Sequence, residues 1–217
     1  MDFWAAVQTR ADRWDVLRHP FYLRWSAGEL EPAELSFYAG QYAHAVGAVA
    51  SATRHAARQA PPSMRGELLE HALEEEAHVE LWGSFADRVG AKGPAPAVPE
   101  TAECVSAWSR PERELLPTLV ALHAIESAQP AISATKLEGL RLHYGIDESP
   151  ATDYFTVHAV RDVEHAAQTR RLVSGARAAA DAADPVDDTA LLDEVAHVLC
   201  ANWRLLDGVQ RSRPLTA

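Results

Sequence analysis

Lysine is almost missing from this chain: of its 20 basic residues, 18 are arginine, and Lys92 and Lys136 are the exceptions. Arginine does not give up its proton and lysine can, so each surviving lysine is informative. Cysteine is scarce as well. Cys104 and Cys200 lie far apart, fit no paired metal-ligand spacing and supply no disulfide framework, which suits a reducing compartment. Positive charge is short overall, with a formal net charge of −11, so nucleic acid and anionic membrane are not expected partners. No apolar run approaches the ~20 residues of a membrane helix. The opening stretch "MDFWAAVQTRADRW" has no apolar core of a signal peptide, and a cytoplasmic location is expected. Alternating β-branched runs and internal repeats are missing too.

What remains is helix, rich in Ala, Leu, Glu and Arg, with apolar residues at i, i+3 and i+4. Helices are expected at about 2–17, 20–28, 32–59, 63–90, 101–109, 112–143, 151–182 and 187–210. Pro32 in "GELEP" marks a helix start, "GAKGPAPAVPE" reads as a linker, and Gly145 ends the sixth helix. The fold class is all-α, a bundle of seven or eight helices, with residues 1–217 expected to form one domain.

Within these apolar helices sit polar residues that need a reason. In "YFTVHAVRDVEHA", residues 154–166, the spacing His158-x3-Asp162-x2-His165 places three titratable groups within a stripe roughly 60° wide. Arg161 and Glu164 fall off that stripe. A wet surface stripe is the bland account. Imidazole and carboxylate converging from one helix also suit Fe, Mn or Zn. The fourth helix holds "LLEHALEEEAHVELW", where Glu75-x2-His78 has the i, i+3 spacing used by di-iron carboxylate bundles. Glu74 is the alternative to Glu75, and Leu68, Leu69, Leu73, Leu81 and Trp82 are expected to bury one side of this helix. Glu126 lies in the most apolar segment of the chain and should have a cationic partner. Pro130, four residues on, should kink that helix. His123 is a rival ligand, with a backbone-bonded core histidine the simpler account of it.

Glu75, His78, Glu126, His158, Asp162 and His165 together offer three imidazoles and three carboxylates from three helices. Two divalent ions would leave a small positive excess and open coordination positions, which suits iron or manganese redox chemistry with O2 better than structural zinc.

The order Glu–His, then Glu, then His-x3-Asp-x2-His resembles the heme-oxygenase-like dimetal oxidases, relatives of the TenA and PqqC proteins. "HPFYLRWSAGELEPAELSFYAGQYAHAV", residues 19–46, is similar to that superfamily's N-terminal helices, so the likeness runs from about residue 10 to 210. It implies a seven-helix fold, two non-heme ions (Fe2+, or Fe with Mn), O2 and an external reductant. Within the superfamily, "HVELWGSFADRVG", "KLEGLRLHYGI" and "YFTVHAVRDVEHA" resemble the CADD-type self-sacrificing para-aminobenzoate synthases. There a tyrosine of the protein supplies the ring of the product and a lysine is implicated as amino donor. Carried over, the lysine is Lys136 and the tyrosines are Tyr22, Tyr38 and Tyr154. Ile125 stands where that group is expected to have a tyrosine. A dimetal oxidase acting on an external amino acid or fatty acid is the first alternative. A metal-free TenA- or PqqC-like enzyme is the second; a thiaminase of the TenA type would need a pocket cysteine. A homodimer is left open. For Tyr22, Tyr38 and Tyr42 the bland account is core packing with bonded hydroxyls. For Lys136 it is a solvated position near a helix end.

Overall fold

Prolines set the starts of the helices. In a computed structural model that describes residues 2–91, 95–181 and 185–212, five of the nine α-helices carry proline in their first two positions, where its missing N–H leaves no bond unmade. Lys92 and Ala182, the last residue expected of the seventh helix, lie outside the described residues. No strand occurs among those described. The helices are α1 (Phe3–Arg13), α2 (Pro20–Ala27), α3 (Pro32–Gln59), α4 (Pro62–Arg88), α5 (Pro99–Ser109), α6 (Leu115–Glu126), α7 (Gln129–His143), α8 (Asp153–Asp181) and α9 (Asp188–Arg211).

Two boundaries depart from the sequence reading. The first expected helix stops at Arg13, because the Asp15 side chain accepts from the Leu17 N–H and starts a separate 3₁₀ turn at Val16–Arg18. The segment 112–143 is two helices. Pro130 has no N–H for the carbonyl of Glu126, and the chain breaks at Ser127–Ala128 before restarting. Glu126 therefore ends α6, a more drastic change than a kink.

Side-chain size decides how the bundle closes. One face of α3 is lined by Ala45, Ala48, Ala52 and Ala56, all buried, and α4 packs against α3 more extensively than any other pair. The largest core side chains are Trp25, Trp82 and Trp108, and each satisfies its indole N–H on a carbonyl of another helix. Trp25 donates to Lys136 (3.2 Å), Trp82 to Ala39 (2.9 Å) and Trp108 to Val198 (3.0 Å). Gly139 admits Trp25 to α7, since a β-carbon there would lie 2.6 Å from Trp25 Cδ1. In this way α3, α4, α6, α7 and α8 enclose the space described next.

Candidate metal centre

The stripe on α8 faces inward. His158, Asp162 and His165 are 3%, 1% and 2% exposed, so the wet-stripe account fails. Glu75, His78 and Glu126 are buried as well, and all six side chains converge between α4, α6 and α8. Glu75 Oε1 is the hub. It lies 3.3 Å from His78 Nδ1, 3.6 Å from His71 Nε2 and 3.7 Å from His165 Nδ1. Asp162 Oδ1 is 3.2 Å from His165 Nδ1. His158 gives its Nδ1 proton to the Tyr154 carbonyl at 2.7 Å, which leaves its Nε2 as the free lone pair.

His71 is the residue that sequence reasoning missed. It is buried one turn before Glu75, and its Nε2 sits 3.2 Å from Glu126 Oε1. A lone carboxylate in an apolar segment needs a cationic neighbour, and for Glu126 that neighbour is this histidine. Burial alone would lower His71, but Glu126 and Glu75 beside it drive its pKa up to about 10.

The other groups are shifted for physical causes that can be named. Burial, with His78 alongside, pushes His158 down to about 4. Burial lifts Asp162 to about 6. For Glu75 burial opposes ionisation, yet the imidazoles of His71 (3.6 Å) and His78 (3.3 Å) beside it outweigh it and hold the carboxyl well below its usual range. Perturbations of opposite sign packed into one dry volume make this cluster a candidate functional site.

The donor set fits divalent cations. Both ring nitrogens of His71, Nδ1 of His78 and Oε1 of Glu126 are buried without a hydrogen-bond partner. Two triads have their ligating atoms within 4.8 Å of one another: His71, Glu75 and His165, and Glu75, His78 and His158. Buried imidazoles and carboxylates of this kind suit iron, manganese or zinc.

Glu74 is turned away from this set. Its carboxylate takes a two-pronged bond from Arg161 (2.9 and 2.7 Å) and reaches His165 Nε2 at 2.9 Å. Chiefly through Arg161 its pKa falls to about 2. Between the two neighbouring glutamates, Glu75 is the inward one. Two flanking leucines are also corrected: Leu69 and Leu73 are exposed, because the polar inward face of α4 leaves them on its outer side. His123 bonds the Ala166 carbonyl at 3.1 Å and lies off the cluster.

Beside the cluster stands a second group. Lys136 is fully buried in the middle of α7, not solvated near its end. Its Nζ has no hydrogen-bond partner and lies 4.6 Å from the ring of Tyr42, with Tyr22, Tyr38, Trp82 and Phe155 between 5.3 and 5.5 Å. Burial drives its pKa down to about 7, against the ring faces that favour the charged form. The hydroxyls of Tyr22 and Tyr38 are 3.2 Å apart, and burial lifts both well above the usual phenol value. Tyr154 stacks on His158 at 3.9 Å between ring centroids and packs edge-on against Trp82 at 4.8 Å, so it touches both groups. Of the cysteines, Cys104 is enclosed in the core and burial pushes its thiol up, which does not suit a nucleophile.

The fold and site define an all-helical protein of the heme-oxygenase-like, TenA-like class with a buried histidine–carboxylate cluster. Within that class, the chain belongs to the family described as iron-containing redox enzymes, whose pattern matches residues 36–201. It is 30% identical to a 4-aminobenzoate synthase of Nitrosomonas europaea over 91% of this chain and 86% of that one. A 4-aminobenzoate synthase of Chlamydia pneumoniae is also 30% identical, over 73% of this chain and 75% of that one. Among solved structures, a TenA homologue from Pseudomonas syringae superposes with a TM-score of 0.81 at 14% identity, covering 97% of this chain and 93% of that one. A protein of heme oxygenase-like fold from Shewanella denitrificans gives 0.79 at 17%, with the same coverage. Among the described residues no helix is long and apolar enough to cross a membrane.

Proposed function

We propose that this protein is an O2-dependent non-heme dimetal oxygenase that forms para-aminobenzoate from one of its own tyrosines. The observation that carries the reading is the contact between two buried groups: a histidine–carboxylate cluster, and a lysine enclosed by tyrosines one ring away from it. Likeness to 4-aminobenzoate synthases supports the product, and the iron-containing redox family supports the metal.

In this reading Glu75, His78, Glu126, His158, Asp162 and His165 hold two divalent ions, Fe2+ in both positions or Fe with Mn. When bound, those ions supply the redox chemistry that activates O2 with electrons from an external reductant. The chain does the rest. Tyr22 or Tyr38 supplies the aromatic ring, and Lys136 supplies the amine. Burial keeps a fraction of Lys136 neutral near pH 7, and only a neutral amine has the lone pair a nucleophile needs. Tyr154 lies between the cluster and the other tyrosines, where it positions His158 through its carbonyl and its ring face. The space next to the cluster is filled by side chains of the protein itself: Tyr22, Tyr38, Tyr42, Tyr154 and Phe155 are all buried. That packing favours an internal substrate over an external amino acid or fatty acid, which would need an opening of its own size.

The test is mass spectrometry of the protein after incubation with Fe(II), or Fe(II) and Mn(II), a reductant and O2. Release of para-aminobenzoate together with mass loss at Tyr22 or Tyr38 is expected. Intact tyrosines in every molecule with no aminobenzoate released would overturn the reading.

A further inference from the structure

The pattern His71-x3-Glu75-x2-His78 on α4 is the same as His158-x3-Asp162-x2-His165 on α8. Each is a histidine, a carboxylate four residues later and a histidine three beyond that, and on a helix all three share one stripe. The two stripes face each other with their order reversed. The rings of His71 and His165 lie 4.0 Å apart, and those of His78 and His158 lie 4.3 Å apart. Glu75 and Asp162 occupy the middle of their stripes, and Glu126 enters from α6 on the His71 side. The arrangement is close to two-fold symmetric about a line between the two helices.

On this basis, and resting on the dimetal reading above, we propose that His71 is a seventh metal ligand. It pairs with His165 at one ion as His78 pairs with His158 at the other. Three observations carry this. Both ring nitrogens of His71 are buried without a hydrogen-bond partner, which is unusual for a histidine kept for packing or for a bond to the backbone. Its Nε2 faces Glu126 at 3.2 Å and Glu75 at 3.6 Å, and oxygen and nitrogen ligands each ~2.1 Å from a shared ion sit roughly 3.0–3.5 Å apart. Without His71 one ion would have two imidazoles and the other only His165. With it, each ion has two. The two positions then differ in carboxylate, since Glu126 lies beside His71, and this gives a structural basis for two unlike ions.

A simpler role for His71 exists, as a charged partner of Glu126 that is displaced when metal enters. The experiment separates the two. Wild type and the variants His71→Ala, His71→Gln, His71→Glu and His78→Ala are prepared metal-free, with folding checked by circular dichroism, and titrated anaerobically with Fe(II) and separately with Mn(II). Bound ions per chain are counted by elemental analysis and affinity is read by calorimetry. Wild type is expected to hold two ions. His71→Ala and His71→Gln should hold one, or bind the second at least 100-fold more weakly. His71→Glu, which restores a ligand, should recover most of that loss. His78→Ala should lose the other ion and leave the His71 position filled. If His71→Gln folds and still holds two ions at wild-type affinity, the proposal is overturned and the charged-partner role stands. If wild type itself holds none, the dimetal reading falls and this proposal falls with it.

Discussion

Tyr154 lies nearly parallel on His158, their ring centroids 3.9 Å apart and their planes 26° from each other, while the Tyr154 carbonyl takes the Nδ1 proton of the same histidine. One residue thus fixes both the tilt and the tautomer of a proposed ligand. Removing the ring should be costly and removing the hydroxyl should not. Tyr154→Ala is expected to destabilise the metal-free protein by about 3–4 kcal/mol in chemical denaturation, as large-to-small changes in a packed core do. Tyr154→Phe, which keeps the stack and the carbonyl, should lose well under half as much.

Glu74 touches no proposed ligating nitrogen on its metal side, but it holds His165 from behind at 2.9 Å and is itself held by Arg161. Partners of this kind orient a ligand and raise its basicity. Glu74→Gln should keep both ions bindable and weaken one of them by about 10–100-fold, read by metal titration. Glu75→Gln, at the hub, should affect both ions. Equal effects of the two substitutions would contradict the assignment of Glu75 as the inward glutamate.

Lys136 gives a pH dependence of known sign. Its pKa is about 7 folded and about 10.5 unfolded, so between those values unfolding takes up a proton and is favoured as pH falls. The resulting penalty is absent above about pH 10.5, grows as pH drops to 7, and is complete below that. Lys136→Met should therefore raise the stability of the metal-free protein at pH 7, by on the order of 2–4 kcal/mol, and by much less at pH 10.5. Denaturation of both proteins at the two pH values measures the difference. A gain that is the same at both would contradict a buried amine of lowered pKa.

At Gly139 the prediction is steric. An added β-carbon would meet Trp25 at 2.6 Å and its backbone carbonyl at 3.2 Å, and Trp25 in turn bonds the Lys136 carbonyl. Gly139→Ala should lower stability by about 1–3 kcal/mol despite its better helix propensity. Urea denaturation monitored by tryptophan fluorescence checks it.

How much of this was legible in the sequence follows from what kind of signal each feature leaves. The helices were readable because apolar periodicity and proline are local. The stripe of His158, Asp162 and His165 was readable for the same reason: three polar groups on one face of a single helix need no partner to be noticed. Glu126 could be singled out because a carboxylate in so apolar a segment demands a cation, but that cation is 55 residues away in sequence, and no local rule points to it. His71 was hidden by the acidic run that follows it, where Glu74, Glu75 and Glu76 look like a solvated face. Comparing α4 with α8 would have exposed it, since the spacing is repeated. Lys136 near the end of an expected long helix looked solvated. Its burial depends on the break at Ser127–Ala128 and on five rings from α2, α3, α4 and α8, which no single segment encodes.

The most direct measurement is an anomalous difference map at the iron absorption edge from crystals loaded anaerobically with Fe(II). Two peaks are predicted, one touching Glu75, His78 and His158 and the other touching His71, Glu126 and His165. A single peak, or iron only on surface carboxylates with these six side chains and Asp162 unchanged, would contradict the account.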